Sequence, residues 1–328
     1  MPRAGVSGNM TFIKNGLRTL ARKYGIFVIF MGLLVIGTIV SPYFMKVKNV
    51  TNVLRQISVT GILALAEMTL IISGNIDLSL GSIIALSGML SVSVYLSTGS
   101  LALAMLISIA VSIACTTFSG VMIAYVKLPA FIATMAMDYI ARGLCFIYTG
   151  GQATYKIGTY SVISTTYLGA VPLPVYIFFG MAVFVAIVMN RTTLGRSIFA
   201  VGGNQEAANS SGIHVKHTII KAFVLAGILT GVASVLQIAR VNSAIPDTAM
   251  NYHGDAIASA IIGGTSFTGG IGTVFGCMVG SAIMGFLTNL LNLCGLDAYF
   301  QMVTKGVIIL GALAIDLRTK SGRKKRKD

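Results

Sequence analysis

Long apolar stretches separated by short polar ones follow one another along almost the whole chain. Ten stretches are apolar enough to form membrane helices, and most approach the roughly 20 residues that a helix needs to cross a bilayer. They lie near 25–41, 53–73, 78–96, 101–124, 131–149, 171–190, 219–240, 254–267, 271–293 and 299–316, and the eighth is short. A membrane β-barrel would show short alternating segments instead. The pattern predicts an all-α polytopic membrane protein with one transmembrane domain at 25–316.

Composition and charge agree with this class and orient the chain. Hydrophobic residues make up 55% of the 328 residues and charged residues 10%, whereas a soluble domain has about 25% charged residues. With both termini inside and ten crossings, 17 of the 24 Lys and Arg residues fall on the cytoplasmic side, five outside and two within spans. Basic residues beside membrane spans mark the cytoplasmic face and anionic lipid. The basic tails at 1–24 and 317–328 are therefore expected to meet membrane lipid and no nucleic acid.

The most polar stretch between apolar segments is the polar loop, Arg191–Lys221, which follows the sixth segment and is expected in the cytoplasm. Within it, Asn204 is a favourable helix N-cap, and Glu206 places negative charge near a helix N-terminus. Gly212 is a natural helix stop. The pattern predicts a short helix outside the bilayer, which is either a docking element for a soluble partner or part of an ordinary connecting loop.

Two apolar segments are interrupted in the same way, about 190 residues apart. The first interruption, 71–82, reads IISGNIDLSLGS, and the second interruption, 261–273, reads IIGGTSFTGGIGT. Matched breaks are typical of internally related transporter halves with a site at their interface. Broken backbone within a membrane must be buried in protein or line a wet path. The segments 71–82 and 254–273 are therefore either re-entrant or short cytoplasmic loops, and both geometries place polar groups near a pathway.

Several ionisable side chains lie in or beside apolar segments, where such groups are costly and usually face the protein interior. Asp77 begins the third segment and either caps a helix or takes part in the pathway. Asp138 and Arg142 are four residues apart, which places them on one helix face, so an intrahelical pair is expected. Glu67 has no evident partner, and Arg142 and Lys305 are the candidates.

His253 is expected at the outer mouth of the domain, as a surface hydrogen-bonding group or a substrate contact. No metal site is expected, because the three histidines fall on both sides of the predicted membrane. No Cys or carboxylate lies near enough in sequence to His214 and His217 to complete a site there. The chain has no GxxxxGK[S/T] phosphate-binding motif, and no cluster of residues suggests an enzyme.

Five segments resemble the membrane-spanning permease of ribose-type ATP-binding-cassette (ABC) sugar importers, within the branched-chain amino acid and ribose permease family. They are GNIDLSLGS at 74–82, FIATMAMDYIARG at 131–143, TTLGRSIFAVGGNQEAANSSGI at 192–213, DAIASAIIGGTSFTGGIGTVFG at 255–276 and LNLCGLDAYFQMVTKGVIIL at 291–310. The resemblance runs in order from about residue 50 to 316. Glu67 and Asp138 depart from it at positions that are apolar or small in the family, and His253 with Gly254 replaces a common acidic-apolar pair.

The resemblance implies a multi-pass protein of the bacterial inner membrane that imports a monosaccharide, a ribose-like pentose or a hexose, by alternating access. It implies a second permease copy (in a homodimer or a heterodimer), a periplasmic or tethered sugar-binding protein, and a cytoplasmic ATPase with fused nucleotide domains. ATP and Mg are expected on that ATPase, and this chain is expected to bind no cofactor. The same machine for a nucleoside or a sugar-derived signal, and an ion-coupled secondary transporter, are the alternatives.

The residue pattern and the resemblance together predict three sets of functional residues. The cytoplasmic coupling loop at 191–218 is expected to contact the ATPase through Gly202, Gly203, Asn204, Glu206, Ala207, Ala208 and Gly212. The translocation pathway or gate is expected at Asn75, Asp77, Ser79, Phe131, Thr134, Asp255, Gly263, Gly264 and Thr265. Specificity or ion pairing is expected of Glu67, Asp138, Arg142 and His253.

Overall fold

The structure is a computed structural model that describes residues 25–324. Its α-helices are α1 Gly25–Val40, α2 Val47–Ile72, α3 Leu80–Thr98, α4 Leu101–Val121, α5 Ala130–Thr149, α6 Val162–Thr165, α7 Leu173–Arg191, α8 Thr193–Gly203, α9 Gln205–Ser210, α10 Val215–Val241, α11 Tyr252–Ile262, α12 Val274–Leu293 and α13 Ala298–Lys324. Its strands are β1 Thr154–Tyr155, β2 Tyr167–Leu168, β3 Val171–Pro172 and β4 Ser243–Ala244. The predicted tail at 1–24 lies outside the described residues. Helix α13 continues through most of the predicted tail at 317–328.

Each of the ten predicted apolar segments lies on a helix, and the all-α polytopic class is confirmed. Seven of the described helices are long and apolar enough to cross a membrane: α2, α3, α4 with its π-helical continuation to Val126, α5, α7, α10 and α12. Helix α1 and the apolar part of α13, Ala298–Gly311, are shorter. The eighth predicted segment, 254–267, is represented by α11, which has only 11 residues.

Helices α2 and α10 form the centre of the bundle. In their most apolar windows, 89% and 72% of the residues are buried, against 22% in α4 and 28% in α5. A helix that is apolar on all sides is stable either in a protein core or in lipid. The central pair is therefore enclosed by protein, and α4 and α5 present most of their apolar surface outwards.

Small residues allow α10 to pack closely against α4. Cβ atoms built at Gly227 and Gly231 would lie 2.7 Å and 2.5 Å from the Cα atoms of Ile113 and Ile109. The Ser108 hydroxyl donates a hydrogen bond of 3.1 Å to the Gly231 carbonyl. Close backbone contact through a Gly-x-x-x-Gly pair is a common way of joining membrane helices, because it maximises van der Waals contact without large side chains.

Contacts at one end of the bundle join segments that the sequence predicts to be extracellular. Strand β1 pairs antiparallel with β4, so the long loop after α5 contacts the loop after α10. Asn49, near the start of α2, and Asn289, near the end of α12, exchange two amide hydrogen bonds of 2.8 and 2.9 Å. These contacts agree with helices that alternate in direction as the apolar pattern predicts.

Candidate docking and translocation site

The polar loop folds into two short helices, α8 and α9. The Asn204 side-chain oxygen accepts a hydrogen bond of 2.9 Å from the Ala207 N–H, so Asn204 is the N-cap of α9 as predicted. Glu206 lies in the first turn of α9, where the helix dipole favours negative charge. Gly212, with φ of +81°, takes the left-handed conformation that commonly ends a helix. The predicted short capped helix is therefore present.

The seven residues expected to contact an ATPase do not all face the same way. Five of them are exposed and form the outward surface of the loop: Gly203, Asn204, Glu206, Ala207 and Gly212. Ala208 is buried, with 5% of its surface exposed. Gly202 is half-buried and lies against other segments of the chain. Sequence reasoning placed all seven in one contact surface, whereas the fold divides them between an outer surface and an inner packing surface.

A cleft of about 690 Å³ separates α9 from the first interruption and from the end of α4. Its lining includes Gly74, Asn75, Lys127, Glu206 and Lys216. Lys127, with φ of +61°, ends the π-helical turn at 122–126. Such π-turns within helices are frequent at functional sites. Helix α9, the candidate docking helix, and the first interruption therefore share one open, partly basic cleft.

The first interruption turns back into the protein after α2 ends. The Asn75 N–H donates to the Leu70 carbonyl at 2.9 Å, and Gly74 has φ of +83°, which closes the end of the helix. The Asp77 N–H then lies 3.3 Å from a carboxylate oxygen of Glu67. Glu67 is five residues before the end of α2, a rise of about 7–8 Å. The segment from Asn75 onward is therefore re-entrant with respect to the protein core, because it runs back alongside the last turns of α2.

Asp77 holds the start of α3 in this re-entrant arrangement. One carboxylate oxygen, Oδ1, accepts the Ser79 N–H at 2.8 Å and the Ser79 hydroxyl at 2.5 Å. Asp77, Ser79 and Glu67 each have 0% of their surface exposed. The other oxygen, Oδ2, is buried and has no hydrogen-bond partner among the described residues. Ser79 is the N-cap residue of α3, and this helix has no side-chain cap bond, so the prediction that Asp77 caps the helix is wrong. Asp77 instead binds Ser79 in the turn that leads into α3 and keeps one unsatisfied acceptor.

The second interruption begins with the same hydrogen-bonded cap as the first. Gly264 donates to Ile261 at 2.9 Å and Thr265 donates to Ala260 at 3.0 Å, with Gly264 at φ +86°. These bonds match those of Gly74 and Asn75 one by one. The Thr265 hydroxyl is buried without a partner in the described part of the chain. Beyond the cap the two interruptions differ, because Asp77 and Ser79 are buried in the first, whereas Phe267 and Thr268 are exposed in the second.

Arg142 does not form the predicted intrahelical pair with Asp138. Its guanidinium donates to the carbonyls of Pro246, at 2.5 Å, and Thr248, at 3.1 Å. These carbonyls belong to a loop without regular secondary structure, and they need hydrogen-bond donors because they have no helical partners. The prediction that Arg142 pairs with Asp138 is therefore wrong, and Arg142 instead joins α5 to the loop between α10 and α11.

The two candidate partners for Glu67 are also wrong. Lys305 forms an ion pair of 2.8 Å with Asp255, which is the one salt bridge found among the described residues. Arg142 is engaged by the loop at 242–251. Glu67 instead accepts from the backbone N–H of Asp77. Its carboxylate is satisfied by the re-entrant backbone, and this contact was not predictable without knowing that residues 75–79 fold back.

The loop at 242–251 is a part of the site that sequence reasoning missed. A Cβ atom at Gly81, in the first turn of α3, would lie 2.3 Å from the Ala249 carbonyl oxygen. Ala249 itself has φ of +58°, which is rare for a residue with a side chain. The loop therefore reaches the re-entrant segment at the start of α3. The available signal was Arg142, a basic residue within an apolar segment that needed acceptors.

Polar side chains between α10 and α11 surround this loop. Gln237 accepts from Arg240 at 3.2 Å and from the Tyr252 hydroxyl at 3.3 Å, and its amide donates to Thr248 at 3.4 Å. His253 is half-buried, and its Nδ1 atom is buried with no partner among the residues described. Asp138, Arg142 and Asp255 all lie within electrostatic range of His253. Of the four residues expected to set specificity or pairing, three therefore lie in one cluster.

The two pathway residues predicted on α5 have different environments. Phe131 is 53% exposed in the first turn of α5. Thr134 is buried, and its hydroxyl donates to the Ala130 carbonyl of its own helix at 2.8 Å. Phe131 is therefore available to line a surface, whereas the hydroxyl of Thr134 is occupied in this conformation.

Comparison with known proteins identifies the relatives of this chain. The family model described as the branched-chain amino acid transport system / permease component matches residues 49–313. The chain is 35% identical to the ribose import permease of Escherichia coli (strain K12) over 316 residues, 95% of this chain and 97% of that protein. It is 35% identical to the D-allose transport system permease of the same strain over 298 residues, 90% of this chain and 91% of that protein.

A further relative is the galactose/methyl galactoside import permease of Salmonella typhimurium (strain LT2), which is 31% identical over 332 residues, 95% of this chain and 98% of that protein. No solved structure matches this chain.

Proposed function

Because this chain belongs to the branched-chain amino acid transport system permease family, we propose that it is the membrane-spanning subunit of an ABC importer for a monosaccharide. The relatives that support this cargo are permeases for ribose, allose and galactose or methyl galactoside. Each of them aligns over nearly the full length of both chains. The chain moves the sugar and performs no bond chemistry.

The observation that carries this proposal is the exposed, capped helix α9 beside the cleft at the first interruption. A short rigid helix that projects from the bundle fits a recess on a soluble ATPase better than a flexible loop would. Glu206 at its N-terminal turn supplies a charge for that contact. ATP and Mg are bound by the partner, and closure of the partner around ATP rocks the helices attached to α9.

The proposed topology has ten crossings with both termini in the cytoplasm, in the inner membrane of a bacterium. It is supported by contacts between segments on the same side, since β1 pairs with β4 at one end and α9 lies beside Lys127 at the other. Helices α1, α11 and the apolar part of α13 are shorter than a full crossing. Helix α11 packs against α2 and α12, which gives it the protein surroundings that a broken membrane helix requires.

We place the pathway where two copies of this chain meet, next to α5, α11 and α13. The cluster of Asp138, His253, Asp255 and Lys305 lies among these three helices. Ionisable groups within a membrane domain are stable when they face the protein interior or water, not lipid. A second copy packed against α5 would cover the cluster and complete a polar channel. A sugar-binding protein delivers cargo to its outer end.

The test is transport in liposomes that contain the purified permease with its ATPase, with ligand-loaded sugar-binding protein outside the vesicle and ATP inside. Uptake of labelled ribose, allose and galactose, measured one sugar at a time, identifies the cargo. The proposal expects uptake to require ATP and to stop when the ATPase carries a substitution that prevents hydrolysis.

Two outcomes would contradict the proposal. Uptake that is driven by a proton or sodium gradient without the ATPase would identify an ion-coupled transporter. ATP-driven uptake of a nucleoside, with no uptake of any of the three sugars, would show that the protein is an ABC importer subunit but that the proposed cargo is wrong.

Mass measurement of the complex formed when only this permease chain is expressed distinguishes two identical copies from two different chains.

A further inference from the structure

Three segments of backbone meet at Gly202 with no side chains between them. A Cβ atom at Gly202 would lie 1.6 Å from the carbonyl oxygen of Ile72, the last residue of α2, and 2.9 Å from the amide nitrogen of Gly270. Contacts under 3.0 Å to backbone atoms essentially never occur for a real Cβ. The last turn of α8 therefore packs directly on the end of α2 and on the second interruption.

The second interruption is shaped to fit this junction. Gly269 and Gly270 have φ of +85° and +70°, a conformation that favours glycine. Cβ atoms on them would lie 2.6 Å from the Gly202 oxygen and 2.9 Å from the Gly203 Cα. Glycine is therefore needed at these positions both for backbone conformation and for space.

A hydrogen bond joins the first interruption to the second at the same place. The Gly270 N–H donates to the Ile72 carbonyl at 2.9 Å. A carbonyl at the end of a helix has no partner within that helix, so here the partner comes from a segment almost 200 residues away. The end of α2, the second interruption and α8 are thus one packed unit.

We propose that Gly202 is the positioning residue that transmits motion of the docking helix to both interruptions. This inference rests on the proposed function, and it changes the role that the sequence assigned to Gly202 from ATPase contact to internal transmission. Side chains adjust to a displacement by changing rotamer, whereas packed peptide groups do not. A shift of α9, which begins two residues after Gly203, is passed through Gly202 to Ile72 and Gly270.

The consequence reaches buried polar residues of the predicted gate. Ile72 leads directly into the re-entrant segment that contains Asn75, Asp77 and Ser79, and Gly270 belongs to the turn that follows Thr265. Both segments therefore move together when α8 moves. Because Gly180, in α7 and outside the junction, has nothing within 4 Å of its added Cβ, the chain offers a matched glycine-to-alanine control.

The test compares Gly202→Ala with Gly180→Ala in the complete importer reconstituted in liposomes. The readouts are binding of the ATPase, ATP hydrolysis, and the number of sugar molecules imported per ATP hydrolysed. A merely structural defect lowers the amount of working complex and leaves that ratio unchanged. We expect Gly202→Ala to bind the ATPase and hydrolyse ATP while the ratio falls roughly tenfold, a typical size for loss of coupling between sites. Gly180→Ala should resemble the wild type.

If Gly202→Ala does not accumulate, Gly272→Ala decides the question. Its Cβ would lie 2.7 Å from a terminal side-chain carbon of Ile72, which can move, so the variant should fold and show a smaller loss of the same ratio. The inference is overturned if the variant that accumulates imports as much sugar per ATP hydrolysed as the wild type. Loss of ATPase binding in Gly202→Ala would overturn it as well. Absence of any ATP-dependent uptake by the wild-type complex would instead contradict the proposed function.

Discussion

Replacement of Asp77 separates its role in holding the turn before α3 from a role for its charge. The carboxylate accepts two hydrogen bonds from Ser79, one from the backbone and one from the hydroxyl, in a fully buried position. Asn keeps an acceptor oxygen of the same shape, which can accept the same two hydrogen bonds. Asp77→Asn should therefore change the free energy of unfolding by less than about 1 kcal/mol. It also removes a negative charge beside Glu67.

Asp77→Ala should behave differently, because it leaves buried donors of Ser79 without an acceptor. An unsatisfied buried donor costs about 1–3 kcal/mol, so the loss of both bonds should lower stability by about 2–4 kcal/mol. The matched control is Ser79→Ala, which removes the hydroxyl bond alone and should cost about 1 kcal/mol. Thermal unfolding of the purified protein in detergent, followed by circular dichroism, gives the order of stability of the three variants.

ATP-driven sugar uptake in the same variants completes the comparison. If Asp77 acts only through its hydrogen bonds to Ser79, Asp77→Asn imports sugar at close to the wild-type rate, and Asp77→Ala loses uptake together with stability. A stable, correctly assembled Asp77→Asn complex without uptake would show that the charge itself serves transport. An Asp77→Ala variant as stable as the wild type would refute the stabilising role of these hydrogen bonds.

Three further experiments test the proposed ATPase contact and the ion pair between α11 and α13. Glu206→Lys reverses the charge at the start of α9 and should abolish ATPase binding without unfolding the permease. The control is Gln205→Lys at the neighbouring exposed position, which should retain more ATPase than Glu206→Lys in a pull-down. Asn204→Ala removes the α9 cap at a cost of about 1 kcal/mol and should weaken ATPase affinity several-fold; unchanged affinity would mean that α9 is not the contact. For the 2.8 Å ion pair of Asp255 and Lys305, a double-mutant cycle on thermal stability should give a coupling energy of about 1 kcal/mol or more. Additive effects of the two substitutions would show that these side chains do not stabilise each other.

The general fold and the docking helix could be predicted from the sequence because each depends on local signals. Apolar length determines which segments become membrane helices. The cap of α9 is local as well, since Asn204 and Ala207 are only three residues apart. The helical class, the position of α9 and its exposed face all follow from such short-range patterns.

The internal contacts of the site could not be predicted because they depend on where distant segments fold. Four-residue spacing suggested a pair between Asp138 and Arg142, but the Arg142 guanidinium reaches carbonyls more than 100 residues away. Gly202 resembled its exposed neighbours in the loop, and only the packed backbone of α2 reveals that it faces inwards. Local periodicity carries no information about such close approaches.

The most direct test of the central claim is the accessibility of a cysteine placed at Asn209, an exposed residue of α9. In a protein with Cys294, the exposed native cysteine, replaced by Ser, Asn209→Cys would be treated with a membrane-impermeant maleimide in intact cells and in inside-out vesicles, with and without the ATPase. The account predicts labelling only in inside-out vesicles, and protection when the ATPase is bound. Labelling in intact cells, or equal labelling with and without the ATPase, would contradict the claim that α9 binds the ATPase in the cytoplasm.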